Sequence, residues 1–207
     1  MKLKDQQLRN SKLYLILDAQ VSGYDQLFEV ARKAMRFGVD VMQLRDKQGK
    51  ACDMLEFAKR ILAVTQHKIP FIVNDRVDVA LMAGADGVHL GQDDLPIAQA
   101  RNVLGEDAII GRSCQTLEHA LIAQDEKADY IGFGSVFKTL TKPEREPMDL
   151  TLLAKIFQEI NIPVFAIGGI NANNVAALRS IGADRIAVCR DICQSNNIEQ
   201  TISTLIS

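Results

Sequence analysis

Four segments of this 207-residue chain share one pattern, and that repeat dictates what the chain can fold into. Gly38-Val39-Asp40-Val41-Met42, Gly84-Ala85-Asp86-Gly87-Val88, Lys127-Ala128-Asp129-Tyr130-Ile131 and Gly182-Ala183-Asp184-Arg185-Ile186 each follow a helical period and open a short apolar run. Their first positions, 38, 84, 127 and 182, lie 46, 43 and 55 residues apart, about the length of two βα units. Glycine at three of them suits the left-handed residue that ends a helix, and Lys127 is the exception. Midway between the repeats lie further apolar runs at 13–17, 70–73, 108–110 and 163–167. Interleaving the two sets predicts eight strands.

These runs are continuously apolar rather than alternating, as expected of parallel strands buried on both faces. Between them the periodicity predicts amphipathic helices over 24–37, 54–64, 95–104, 117–124, 149–160, 173–181 and 198–206, with Asp149 and Asn171 as N-caps. Eight βα units in about 200 residues close best as a single-domain TIM (β/α)8 barrel spanning 1–207, with 1–11 as a polar N-terminal extension.

Composition narrows the function. Hydrophobic residues make up 47%, enough for a sizeable core, and a net charge of −2 gives no reason to expect nucleic-acid or anionic-membrane binding. No apolar run approaches the roughly 20 residues needed to cross a bilayer, and the polar first residues do not read as a signal peptide. Cys52, Cys114, Cys189 and Cys193 form no C-x-x-C pair and no zinc spacing, which suits buried thiols in a reduced, cytoplasmic protein.

In a parallel barrel the chemistry sits at the carboxyl ends of the strands. Val73-Asn74-Asp75 and Leu90-Gly91-Gln92-Asp93-Asp94 end neighbouring runs, so Asp75 and Asp94 share that edge, either as helix caps or as ligands of a divalent ion. Few oxygen ligands of this kind suit Mg2+, which keeps waters and takes further ligands from substrate phosphates. The second run ends Gln43-Leu44-Arg45-Asp46-Lys47, and period two points Gln43, Arg45 and Lys47 the same way. That is a solvated strand end or a donor cluster for phosphate oxygens.

The connection at 135–148 is long for a βα loop and points to a lid or a substrate clamp. Within it, Thr139, Thr141 and Lys142 are a phosphate-style set. Gly168-Gly169 after the seventh run lets backbone N–H groups approach an anion, and Arg190, following Cys189, is a candidate side-chain partner for it. No activated nucleophile is evident. Ser113 and Cys114 lack a G-x-S-x-G context, His67 and His119 read as surface positions, and His89 reads as a satisfied structural histidine.

Taken together, these residues resemble the thiamine-phosphate synthase family. The likeness runs from about residue 13 to 192 and rests on Gln43-x-Arg45-x-Lys47, Val73-Asn74-Asp75, Gly87-Val88-His89-Leu90-Gly91-Gln92-x-Asp94, Gly111-x-Ser113, Gly134-x-Val136-Phe137-x-Thr139-x-Thr141-Lys142 and Ile167-Gly168-Gly169-Ile170. The resemblance implies coupling of hydroxymethylpyrimidine diphosphate with a thiazole phosphate. Diphosphate leaves, an electron-rich pyrimidine stabilises the methylene cation, and the thiazole nitrogen captures it.

By position, Asp75 and Asp94 would bind magnesium. Arg45, Lys47, Asn74 and Lys142 would hold diphosphate, with Gln43 and Ser113 near the pyrimidine. Thr139, Thr141, Gly169 and the strand-eight end at Cys189 and Arg190 would hold the thiazole phosphate. Two residues depart from the family pattern: Arg190 stands where a small residue is usual, and Lys138 where proline is common.

Two alternatives accompany this reading. A thiazole tautomerase of the same superfamily fits Gly111-Arg112-Ser113 but uses a histidine where this chain has Ser135. A non-catalytic barrel that binds a phosphorylated metabolite would retain Gly168-Gly169 without needing Asp75, Asp94 and Lys47 together. Apolar positions on the outer helices are compatible with a homodimer.

Overall fold

The computed structural model describes residues 3–141 and 145–207. In chain order the elements are α1 (Leu3–Asn10), β1 (Leu13–Asp18), α2 (Tyr24–Ala34), β2 (Val41–Arg45), α3 (Ala51–Thr65), β3 (Phe71–Asn74), α4 (Val77–Ala83), β4 (Gly87–Leu90) and α5 (Ile97–Leu104). They continue with β5 (Ile109–Cys114), α6 (Leu117–Asp125), β6 (Tyr130–Phe133), α7 (Leu150–Glu159), β7 (Val164–Ile167), α8 (Val175–Arg179), β8 (Ile186–Val188), α9 (Arg190–Cys193) and α10 (Ile198–Ile206). The eight strands pair in sequence order, all parallel, and β8 closes on β1, so the predicted barrel is the observed one. No helix among the described residues is long and apolar enough to cross a membrane.

Strand alternation sorts the core into two clusters. Leu13, Leu15 and Leu17 face the helices, whereas Tyr14 and Ile16 join Val41, Ile72, Ile109, Tyr130, Phe165 and Ala187 in the barrel interior. The interior is therefore packed at its lower end and opens only at the carboxyl edge. Leu8 of α1 belongs to the interior cluster and is 1% exposed. The segment read as a mere extension is thus a helix that plugs the end of the barrel where the strands begin. Arg185 fastens it by donating to the Arg9 carbonyl at 2.6 Å.

The repeat has a mechanical meaning. Asp40 accepts from Leu13 N at 2.9 Å, Asp86 from Phe71 N at 2.9 Å and Asp129 from Ile110 N at 2.7 Å. Each aspartate before an even-numbered strand thus pins the start of the preceding odd one, satisfying a backbone donor that the ladder leaves open. Asp184 departs from this rule and is exposed. All four first positions are left-handed, at φ 100°, 71°, 64° and 82°, so Lys127 adopts the conformation that glycine supplies elsewhere.

Of the two expected caps, Asp149 accepts from Thr151 N at 2.9 Å and starts α7. Asn171 does not cap α8. That helix begins later, behind Asn174, whose Oδ1 accepts from Asn171 N at 2.9 Å. The Asn-rich turn bonds to itself, and that delays the helix.

Candidate active site

At the carboxyl edge lies a cavity of about 520 Å³. Its wall includes Gln43 and Arg45 from β2, Asn74 from β3, His89 from β4 and Ser113 from β5. Thr139 and Thr141 enter from the long loop, Gly168 and Gly169 from the end of β7, and Cys189 and Arg190 from the end of β8. Most residues singled out in the sequence thus meet in one place, but Lys47, Asp75 and Asp94 do not belong to that wall, Asp75 following directly on Asn74, which does. Lys142 lies outside the described residues. Lys138, one of the two departures, also lines the cavity.

Period two carries Gln43 and Arg45 inward, but at different depths. Gln43 is 3% exposed and hydrogen-bonds to the Tyr14 hydroxyl at 2.8 Å, well below the mouth. Arg45, one layer higher, pairs with Asp18 at 2.7 Å. Asp18 ends β1, directly across the register from Arg45, and its side chain is 1% exposed. The sequence reading passed over Asp18 because a single aspartate ending an apolar run carries no local signal. The pair leaves Arg45 oriented, with its remaining N–H groups available to a ligand.

Lys47 follows the strand end and its ammonium bonds to Asp75. The turn that carries Lys47 is organised by Asp46, which accepts from Gly49 N at 2.7 Å, Tyr24 Oη at 2.7 Å and Gln20 Nε2 at 2.8 Å.

Asp75 and Asp94 do converge, and neither caps a helix: α4 begins after Arg76 and α5 after Pro96. Asp75 is held left-handed at φ 60° while its N–H bonds to the His89 carbonyl at 2.9 Å. Asp94 accepts from Gly91 N at 2.6 Å. The two carboxyls lie close enough to perturb each other. Burial, then Asp94, push Asp75 above the usual carboxylate range, and Asp75 helps hold Asp94 below it. Two acids with oppositely displaced affinities for a proton thus sit beside an ammonium.

Two carboxylates of this kind fit a divalent ion. Among the described residues no three His, Cys, Asp or Glu side chains group closely enough to hold a metal. The protein would thus supply two carboxylates and leave the remaining positions to water and substrate.

Nucleophilic chemistry finds no support in Cys114 or Cys189. Burial pushes the Cys114 thiol up to about 12, and the bond with Cys193, followed by burial, raises Cys189 strongly. At the β7 end, a Cβ on Gly168 would fall 2.1 Å from Ser135 Oγ, and one on Gly169 would fall 2.4 Å from the Lys138 carbonyl. Close packing and positive φ both require glycine there.

Residues 13–192 match the family described as thiamine monophosphate synthase. The chain belongs to that family. It is 40% identical over 195 residues to thiamine-phosphate synthase of Ruminiclostridium cellulolyticum, covering 94% of this chain and 93% of that one. It is likewise 40% identical over 194 residues to the Clostridium tetani enzyme of the same name, covering 93% of each. A solved thiamine phosphate pyrophosphorylase from Pyrococcus furiosus superposes with a TM-score of 0.86 at 36% identity, covering 98% of this chain and 95% of that one. The chain is accordingly a transferase of thiamine biosynthesis built on a TIM barrel.

Proposed function

We propose that this synthase-family barrel couples hydroxymethylpyrimidine diphosphate to a thiazole phosphate, releasing diphosphate and thiamine phosphate. The observation that carries the reading is the Asp75–Asp94 pair beside Lys47, next in sequence to Asn74 of a cavity wall that also holds Arg45. Two carboxylates would repel a diphosphate unless a cation lay between them. Asp75 and Asp94 would hold magnesium, which would neutralise charge on the departing diphosphate.

The chain's own cations do the rest of that work. Arg45, fixed by Asp18, and Lys47 bind the diphosphate oxygens, together with Lys142. Asn74 joins them: its Nδ2 is buried and has no protein partner, a donor left for a ligand. Gln43 and Ser113 seat the pyrimidine deeper in the barrel. The Gly168-Gly169 turn, Thr139, Thr141, Cys189 and Arg190 receive the thiazole phosphate on the far wall. Arg190 Nε is likewise buried without a partner.

In the reaction, the methylene C–O bond breaks and its electron pair leaves with diphosphate. The thiazole nitrogen lone pair then closes the new C–N bond. Confinement holds the two reactants in line while positive charge meets the leaving group. The tautomerase alternative lacks its histidine, since Ser135 Oγ is engaged with the Phe137 carbonyl at 2.9 Å.

The test is direct: purified protein with both substrates, with and without magnesium, followed by chromatography for thiamine phosphate. Magnesium-dependent product is expected. Isomerisation of a thiazole carboxylate phosphate without condensation would overturn the proposal in favour of the tautomerase.

A further inference from the structure

Along the cavity wall a chain of hydrogen bonds runs through the barrel interior. Gln43 Nε2 meets Tyr14 Oη at 2.8 Å, and Tyr14 Oη meets Tyr130 Oη at 2.7 Å. Tyr130 Oη then meets His89 Nδ1 at 3.0 Å, and His89 Nε2 meets Ser113 Oγ at 2.9 Å. All five residues line the cavity, Gln43 and Ser113 forming the two ends of the chain. Glycine makes room for the links: a Cβ on Gly111 would fall 2.1 Å from Tyr130 Cζ, and one on Gly132 3.3 Å from His89 Cε1.

A hydroxyl has one proton to give, and a singly protonated imidazole donates from one nitrogen and accepts at the other. Each link therefore fixes the next, and the chain has two self-consistent polarities. In the structure Gln43 turns its amide nitrogen to Tyr14. Tyr14 then donates to Tyr130 and Tyr130 to His89 Nδ1. His89 donates from Nε2 to Ser113 Oγ, whose own proton is left pointing outward. With the Gln43 amide nitrogen turned to Tyr14, its carbonyl oxygen remains as the acceptor at that end of the chain. Burial pushes both tyrosine hydroxyls upward, so neither breaks the chain by ionising.

We infer that Tyr14, Tyr130 and His89 are positioning residues. They lock an acceptor at Gln43 and a donor at Ser113, the pattern that selects a 4-aminopyrimidine over its 4-oxo counterpart. An amino group beside a ring nitrogen offers a donor and an acceptor; the 4-oxo ring reverses both. This rests on the proposed pyrimidine substrate, and it assigns the selectivity to residues that act through Gln43 and Ser113.

Two measurements test it. Nitrogen NMR of the ligand-free protein labelled at histidine should show His89 as the Nε2–H tautomer, moving toward a mixture in Tyr130→Phe. Kinetics should show Tyr130→Phe and Tyr14→Phe lowering amino-over-oxo discrimination by about tenfold, mainly through KM for the pyrimidine, with KM for the thiazole unchanged. An Nδ1–H tautomer in the wild type would overturn the inference. So would undiminished discrimination in both variants, with cooperative unfolding showing that they fold. If the wild type condenses no aminopyrimidine diphosphate, the functional reading fails while the tautomer result still stands or falls alone.

Discussion

At the scale of single residues, the account turns on Asp75 and Asp94. Asp75→Ala or Asp94→Ala should lower condensation by about 10²–10³-fold while thermal unfolding stays cooperative. Asp75 is raised by burial and then by Asp94, so a metal bound there competes with protonation of Asp75. Magnesium affinity should therefore climb as pH rises through the elevated Asp75 value and fall below it. Calorimetry in buffers of different ionisation heat should register the released proton. Affinity independent of pH, with no proton released, would place the ion elsewhere.

Much of this was legible in the sequence, because strand ends in a parallel barrel must converge. Asp18 and the Tyr14–Tyr130 pair were not, because their partners come from distant strands and no local spacing announces them. His89 was read as structural, and both its nitrogens are indeed engaged, yet it also lines the cavity.

At the scale of elements, the Gly-x-Asp repeat was visible as punctuation, but its bonds were not. Asp86, 4% exposed, accepts from Phe71 N and pairs with His67 at 3.1 Å. Asp86→Ala leaves a buried N–H unsatisfied and should cost about 1–3 kcal/mol in denaturant unfolding, with the residual folded enzyme still binding its substrates. No loss of stability would mean that the strand start finds water instead. Helix lengths were over-read where polar turns intervene. The 173–181 pattern shrinks to Val175–Arg179 because Asn171 and Asn174 bond to the turn itself. Short α9 was missed altogether, since four residues offer no period to detect.

At the scale of the whole molecule, the barrel is closed below and open above. α1 closes the floor of the barrel, and among the described side chains Leu8 joins it to the interior cluster. Leu8→Ala should cost about 2–5 kcal/mol, and the truncation should be felt at the floor of the site as a raised KM for the pyrimidine. Polar composition concealed this helix, because its leucines stand among charged and amide residues and make no stripe.

The most direct test of the whole account is calorimetric titration of hydroxymethylpyrimidine diphosphate into the wild type and into Asp75→Ala, with magnesium and with chelator. Tight binding only when wild type and magnesium are combined is the predicted result. Equal binding in chelator, or by Asp75→Ala, would contradict it.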